Sequence, residues 1–352
     1  MQLKDVDTGA LVRMAPMADI SNLPFRLIVR RCGSGMTTSE EIDATSLVYS
    51  SRRAIDTAKF LEEEHPIAMQ LLGNEPESMA EAARMLQDMG TDVVDINMGC
   101  PARKIVAKGK GAALMQDLDK SRAILEAVRE AISIPLTIKI RGGWDYEHLN
   151  AVEVAELAES IGIDGITVHP RTRSQKFSGK APWEIIRGVV EAVDIPVTGN
   201  GDVTNRAEAR LMVEQTGCNS VMVGRGAMGN PWIFSEEYEH MDRDAQDEFR
   251  RSVIEDHVRL MEEHLWERRA LIQIKKNLAW YITTGWRARI RRREIFECTS
   301  VPQVWDVFLA FWEMRRHDEE VIARALAAKR PVSPVAPSPL LQTTIPAGSA
   351  SS

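Results

Sequence analysis

A cysteine just beyond an apolar run has the position in this sequence that most suggests chemistry. Cys100 follows VVDINMG (93–99) and precedes Pro101. Structural cysteines are more often buried inside an element, whereas this one is predicted to lie in a loop. A thiol with a pKa of about 8.5 keeps its proton at neutral pH and can donate it, which suits a general acid. A nucleophile is the competing interpretation.

Two polar residues interrupt apolar runs. Lys139 lies in LTIKI (136–140) and Gln70 in IAMQLLG (67–73). A lysine inside such a strand is unfavourable unless it meets an anion or an electron-rich ring, although it could also reach solvent between helices. If Lys139 meets such a ring, it lies against the reducible end of a flavin, where a cation stabilises the reduced ring. Gln70 is either a hydrogen-bond partner of the flavin ring edge or a satisfied polar group of the core. His169 is either a general base or a contact to phosphate or flavin.

The elements that must position these residues are short strands alternating with amphipathic helices. This alternation predicts a TIM (β/α)₈ barrel. A doubly wound sheet is the alternative, but it would place a glycine-rich loop after its first strand, and APMADISN contains no glycine. Gly90 is predicted to end one helix and Asp117 to begin the next. The eight predicted strands span 11–17, 36–40, 67–73, 93–99, 136–140, 165–169, 196–200 and 220–226.

The last two strands of the predicted barrel end in glycines. In barrels of this kind, the loops after strands 7 and 8 commonly bind phosphate, because glycines let backbone N–H groups approach the oxygens. Gly201, Gly224 and Gly226 occupy those loops, and Arg225 adds a positive charge. Glycines at strand ends often serve turns alone, but their presence in both loops favours a phosphate site.

The strand pattern stops at about residue 235, and the chain to about residue 328 has helical periodicity. Five tryptophans of this part, including Trp266 and Trp312, are interpreted as mostly core. Its segment 275–293 can bind RNA phosphates, or it is a solvated helix face. The predicted division is therefore a barrel over 1–238, a helical RNA-binding domain over 239–328 and a disordered tail over 329–352. The cations of the segment are Lys275, Lys276, Arg287, Arg289, Arg291, Arg292 and Arg293.

Composition limits the remaining function classes. The 352 residues are 44% hydrophobic, which is enough for a barrel and an appendage. The formal net charge of −7 means that any nucleic-acid contact must come from a local basic patch. The four cysteines show no CxxC spacing, so we expect no disulfide framework, no metal site and a reducing cytoplasmic location. No apolar run predicts a signal core or a membrane span.

Several blocks in register resemble the tRNA-dihydrouridine synthase family, in its bacterial branch with an NMGCPA loop. The most specific block is DINMGCPARKIVAKGKGAALM (95–115). Supporting blocks are APMADISNLPFR, MQLLG, LTIKIRGGW, TVHPRTR, GNGDV and VGRGAMGNPWIF. The resemblance runs from about residue 15 to 234 and more weakly to 300.

The resemblance implies an FMN-dependent enzyme that uses NADPH to reduce the C5=C6 bond of uridines in tRNA. Cys100 resembles the family's proton donor. The positions that resemble the FMN site are Pro16, Met17, Ala18, Gln70, Lys139, His169, Asn200, Gly201, Asp202, Gly224 and Arg225. Expected substrate contacts are Asn97, Lys108 and Arg171 from the resemblance, and Arg289, Arg291 and Arg292 from the basic segment.

Three departures from the family pattern, ADISN, GKGAAL and TGNGD, concern the position of the substrate more than the chemistry.

Two alternatives stay open. One is an FMN-dependent barrel oxidoreductase that acts on a small molecule, such as a dihydroorotate dehydrogenase-like enzyme. The other is an RNA-binding protein on a degenerate barrel, which would have no use for Lys139, Cys100 and the glycine loops.

Overall fold

Eight parallel strands form a nearly closed barrel in the computed structural model, which describes residues 1–282 and 288–328. The predicted TIM barrel is confirmed. Around the barrel the strands follow the order β3-β11-β10-β9-β8-β7-β6-β4, and β5 pairs with β6. The Gly35 N–H donates to the Val12 carbonyl at 3.1 Å, which links the two strands at the remaining gap. The strands are β1 Gln2–Leu3, β2 Val6–Asp7, β3 Val12–Met14, β4 Thr37–Thr38, β5 Ile42–Asp43, β6 Ile67–Leu72, β7 Val93–Met98, β8 Leu136–Arg141, β9 Gly165–His169, β10 Val197–Asn200 and β11 Ser220–Val223.

Two helices that cover the barrel have the boundary signals that the sequence predicts. The Asp117 side chain accepts the Lys120 N–H at 3.0 Å and so caps the start of a helix, as predicted. Gly90 has a φ of 92° just beyond the end of the preceding helix, which confirms the other predicted signal. The covering helices are α1 Leu23–Arg31, α2 Ala44–Val48, α3 Arg52–Thr57, α4 Pro76–Asp88, α5 Arg103–Val106, α6 Leu118–Ala131, α7 Ala151–Ile161, α8 Glu184–Ala192 and α9 Arg206–Thr216.

The antiparallel hairpin β1–β2 was not predicted. Leu3 of the hairpin packs against Met36, Ala68 and Val93, which lie at the N-terminal ends of barrel strands. The hairpin therefore closes the end of the barrel opposite to the predicted site. Two strands of two residues each are too short to give a periodic signal, which explains the omission.

The inside of the barrel is polar. Successive side chains of a strand point to its inner and outer faces in turn, and here the inward positions carry polar residues. On β7, Val94, Ile96 and Met98 join the apolar core between strands and helices, whereas Asp95 and Asn97 bond to side chains of other strands. Similar inward positions on the other strands carry polar groups. They include Arg13, Gln70, Thr137, Lys139, Thr198, Asn200 and Ser220.

Helices alone follow the barrel in the part of the chain that the structure describes, as predicted. They have an apolar core of their own, in which Trp312 is buried. Trp266 is 62% exposed, so the interpretation of the tryptophans as core is wrong there. No described helix is long and apolar enough to cross a membrane. The helices are α10 Glu236–His240, α11 Arg243–His264, α12 Glu267–Tyr281, α13 Ala288–Glu297 and α14 Val301–Ala328.

The helical part is joined to the barrel near the predicted site. Lys276 on α12 donates to the Asp19 carbonyl at 2.5 Å, two residues from Met17. A Cβ on Gly229 would lie 2.3 Å from the Trp280 carbonyl oxygen, so the two parts pack closely there. The predicted domain boundary at 238 stays a prediction, and the predicted tail over 329–352 lies outside the described residues.

Candidate active site

A cavity of about 680 Å³ opens at the C-terminal ends of the barrel strands. Its volume is in the usual range for small-molecule and cofactor sites, roughly 300–1,000 Å³. Most of the residues predicted from the sequence meet in its wall. They are Pro16, Met17, Ala18, Gln70, Asn97, Cys100, Lys139, His169, Asn200, Gly201, Asp202, Gly224 and Arg225.

Cys100 lies in the cavity wall on the loop after β7, and this loop is held by its backbone. The Cys100 N–H donates to Asn97 Oδ1 at 2.9 Å, and its carbonyl accepts the Ala112 N–H at 3.1 Å. Gly111, with a φ of 62°, lets the chain return closely: a Cβ there would lie 2.8 Å from the Cys100 carbonyl oxygen. Burial, and then the charge of Glu41, raise the pKa of the Cys100 thiol to about 11.

A chain of hydrogen bonds fixes the side chains beside Cys100. Gln70 donates to Asp95 at 2.7 Å and accepts from the Asn97 amide at 2.8 Å. Thr137 donates to the other Asp95 oxygen at 2.6 Å. Burial raises the pKa of the Asp95 carboxyl, and these donors together with the nearby Lys139 oppose the shift. The chain therefore determines which face Gln70 and Asn97 present to the cavity.

Lys139 and His169 meet at Asn200. The Lys139 ammonium donates to Asn200 Oδ1 at 2.9 Å, and His169 Nδ1 donates to the Asn200 carbonyl at 3.1 Å. Burial, and then the charge of Arg141, lower the pKa of Lys139 to about 8. Burial, and then the charge of Lys139, hold the pKa of His169 well below 6.5. His169 is thus a neutral imidazole whose buried Nε2 is an acceptor with no hydrogen-bond partner among the described residues.

The loops after β10 and β11 approach each other through glycines. A Cβ on Gly226 would lie 2.2 Å from the Val203 carbonyl oxygen, so no side chain fits there. Gly201 has a φ of 141°, and a Cβ there would lie 3.0 Å from Ala181. The Arg225 side chain is 54% exposed and stacks on the Phe177 ring at 4.7 Å from its centroid. These loops form a backbone-lined corner of the cavity beside a guanidinium group.

Two of the three substrate residues that the resemblance implied lie outside the cavity wall. Arg171 is 2% exposed and pairs with the Asp202 carboxylate at 2.6 Å. Asp202 also lies 3.6 Å from Arg225, so it joins the two arginines. Lys108 is exposed on the loop beyond α5, where its carbonyl accepts from the Asn74 amide at 3.0 Å.

The described part of the basic segment lies on α12 and α13, none of its described residues lines the cavity, and its cations differ in their partners. Arg291 bonds Glu294 at 2.6 Å and Arg293 bonds Glu297 at 3.0 Å. Arg289 and Arg292 are exposed and have no acidic partner among the described residues. Arg287 lies outside the described residues.

Comparison with known proteins decides the family. A sequence profile described as dihydrouridine synthase (Dus) matches residues 13–311. The chain belongs to the dihydrouridine synthase family. Members of this family are oxidoreductases, so this protein is one, and the resemblance seen in the sequence is confirmed.

Individual relatives of this dihydrouridine synthase family member match over most of their length. The tRNA-dihydrouridine synthase B of Pseudomonas aeruginosa is 38% identical over 305 residues, which cover 82% of this chain and 91% of that protein. The probable tRNA-dihydrouridine synthase of Rickettsia bellii is 37% identical over 288 residues, covering 80% of this chain and 88% of that protein. Histamine dehydrogenase from Rhizobium sp. 4-9 superposes with a TM-score of 0.48 at 14% identity, over 73% of this chain and 50% of that chain, too weak a similarity to support an argument.

Three charged or aromatic residues of the cavity wall were not among the predicted site residues. Glu41, Arg141 and Phe177 line the wall beside Cys100 and Arg225. Arg141 ends β8 on the same inward face as Lys139, so strand alternation was a signal for it. Glu41 and Phe177 lie in loops, where periodicity gives no indication of direction.

Proposed function

We propose that this protein reduces the C5=C6 bond of uridines in tRNA, with FMN as cofactor, NADPH as reductant and Cys100 as proton donor. One observation carries the proposal. A protonated thiol, a partly desolvated lysine and a glycine-lined corner share one cavity at the C-terminal end of a TIM barrel. The relatives named tRNA-dihydrouridine synthase support tRNA as the substrate.

The residues of the cavity fit FMN. Gly201 and Gly226 let their loops approach neighbouring segments of the chain closely, so that backbone N–H groups of this corner can meet a phosphate, and Arg225 supplies charge there. The unpartnered Nε2 of His169 can accept a hydrogen bond from an N–H of the bound group. Lys139 can stabilise negative charge on it. When bound, the flavin supplies the hydride that it receives from NADPH and delivers to C6 of the uracil.

The protonation state of Cys100 favours its role as an acid over that of a nucleophile. Nucleophilic attack requires a thiolate, whereas a thiol with a pKa of about 11 keeps its proton at neutral pH. As hydride reaches C6, the S–H bond breaks and a C–H bond forms at C5. Asn97, which holds the Cys100 N–H, fixes where the sulfur lies during this transfer.

Access of a tRNA uridine to this cavity requires that the base leave its stack in the folded RNA. Extrusion of a base costs a few kcal/mol, which contacts to the RNA backbone can offset. Arg289 and Arg292 are suited to such contacts because their charges are not neutralised by a described carboxylate. A tRNA substrate and free cysteines support a cytoplasmic location.

A test begins with the purified protein. A flavin absorbance band should bleach with NADPH under anaerobic conditions. Addition of tRNA from a strain that lacks this gene should restore the band, and the RNA should gain dihydrouridine at positions that the lost gene leaves unmodified. Restoration by orotate or enone substrates, which accept a hydride, but not by tRNA would instead support a small-molecule oxidoreductase.

A further inference from the structure

Glu41 is the ionisable group that faces Cys100 most directly. It lies between β4 and β5, lines the same cavity and is half-buried. Its carboxylate accepts a hydrogen bond from the Asn97 amide at 3.2 Å and, after burial, its charge raises the pKa of the Cys100 thiol. Cys100 therefore shares the cavity wall with a carboxylate of the protein whose charge acts on its thiol.

Asn97 bonds to both Glu41 and Cys100 and so fixes their positions relative to each other. Its Nδ2 donates to Glu41 and to Gln70, while its Oδ1 accepts the N–H groups of Cys100 at 2.9 Å and Gly99 at 3.1 Å. The contact between carboxylate and thiol is therefore built into the loop and does not depend on a freely rotating surface side chain. Asn97 is neutral, so it orients the pair without changing its charge.

The charged groups around the pair act in opposite directions. Burial raises the pKa of the Glu41 carboxyl, the nearby Cys100 thiol lowers it, Glu40 raises it further, and Arg53 lowers it. Around Cys100, Glu41 favours the thiol, whereas Arg141 and the Ala102 N–H favour the thiolate. Loss of the charge on Glu41 would leave only the groups that stabilise the thiolate, together with the effect of burial.

We propose that Glu41 is a positioning residue for Cys100, whose carboxylate keeps the thiol protonated between turnovers and thereby sets how readily that proton leaves. This inference rests on the proposed role of Cys100. The carboxylate ensures that each catalytic cycle starts with the proton in place, and it makes the thiol a weaker acid. After the thiol has protonated C5, the thiolate recovers a proton from solvent once the product has left.

The test compares Glu41→Gln with the wild-type flavin-loaded protein. Glutamine keeps an oxygen that accepts from Asn97 and removes the charge. The neighbouring Glu40→Gln is the matched control, since Glu40 bonds the Asp19 N–H at 2.5 Å and does not face Cys100. The first readout is the rate at which iodoacetamide alkylates Cys100 between pH 7 and 10, measured on its peptide by mass spectrometry with Cys298 as internal reference.

Glu41→Gln should lower the thiol pKa by about 1 unit, because a like charge in contact has been removed. At pH 9 this gives roughly ten times more thiolate, and the lower nucleophilicity of that thiolate reduces the gain to about threefold. Glu40→Gln should leave the Cys100 profile unchanged. An unchanged profile in Glu41→Gln, or equal acceleration in both variants, would overturn the inference.

The second readout is anaerobic reoxidation of the reduced enzyme by tRNA at pH 8. A more acidic thiol should donate faster, so Glu41→Gln should match or exceed the wild-type rate, by up to about threefold for a Brønsted coefficient near 0.5. A merely structural Glu41 would give a slower variant, and this outcome contradicts the inference. The proposed function can fail while this inference stands. That result would be a normal rate of reoxidation in Cys100→Ala together with a shifted alkylation profile in Glu41→Gln.

Discussion

Replacement of Gly111 by alanine tests whether the loop that carries Cys100 must keep its observed path. Gly111 has a φ of 62°, and an added Cβ would lie 2.8 Å from the Cys100 carbonyl oxygen and 3.0 Å from the Cys100 Cβ. Neither atom is the end of a flexible side chain, so the backbone of Cys100 must shift by several tenths of an ångström. A displacement on the order of 1 Å can reduce the rate of a positioned reaction by about 10²-fold.

The effect of position can be separated from the effect of backbone strain. An alanine at positive φ costs roughly 1 kcal/mol of stability wherever it occurs. Gly90 also has a positive φ, at 92°, but an added Cβ there has nothing within 4 Å. Gly90→Ala is therefore the matched control, with similar strain at the opposite end of the barrel and no contact with Cys100.

Stopped-flow measurement under anaerobic conditions would follow both halves of the reaction. We expect Gly111→Ala to bind flavin and oxidise NADPH as the wild type does, and to reoxidise with tRNA more slowly, by up to about 10²-fold if the shift approaches 1 Å. Gly90→Ala should lose a similar amount of thermal stability and keep both rates. A wild-type reoxidation rate in Gly111→Ala, or an equal loss in Gly90→Ala, would refute the reasoning.

Three further predictions concern the cofactor and RNA contacts. Arg225→Glu should purify largely without flavin absorbance, because it reverses the charge at the glycine-lined corner; full flavin occupancy would count against a phosphate site there. Lys139→Met should lower the flavin midpoint potential at pH 7 by about 30 mV or more. That difference should shrink as pH rises beyond about 8, where lysine loses its charge, and potentiometric titrations that give a constant difference would contradict the assignment. Arg292→Ala should weaken tRNA binding and reduce the slope of log binding constant against log salt concentration by about 1. Arg293→Ala should have a smaller effect on both, because the Arg293 charge already pairs with Glu297. Equal effects of the two variants, or a loss of NADPH oxidation, would contradict this difference.

The barrel was predictable because its strands are apolar runs bounded by turn residues. The segment GITVH was predicted over 165–169 and forms β9 over Gly165–His169. The predicted first and last strands ran three residues too far at their C-terminal ends. β3 ends at Met14 and β11 at Val223, since the chain then turns into the cavity wall.

The alternation of inward and outward side chains along the strands could have predicted more of the site. Residues 95 and 97 on β7, and 137, 139 and 141 on β8, all face inward and are polar. The pairing of Arg291 with Glu294 follows helical spacing and was also readable.

Other contacts depend on tertiary structure that no local pattern reports. Arg171 meets Asp202 across two different loops, which buries it outside the cavity wall. Glu41 meets Cys100 only because β5 and the loop after β7 converge at the mouth of the barrel. Residues so far apart in the chain come together through the closure of the barrel, which sequence periodicity does not describe.

The most direct test of the central claim is the reoxidation of pre-reduced Cys100→Ala by unmodified tRNA in the absence of oxygen. The variant should retain its flavin, since the glycine loops lie on other strands, and NADPH should still reduce that flavin. Loss of a positioned general acid should slow reoxidation by tRNA about 10²–10⁴-fold, and Cys100→Ser should also be slow because a hydroxyl is a weaker acid. Reoxidation of Cys100→Ala at the wild-type rate would contradict the assignment of Cys100 as the proton donor.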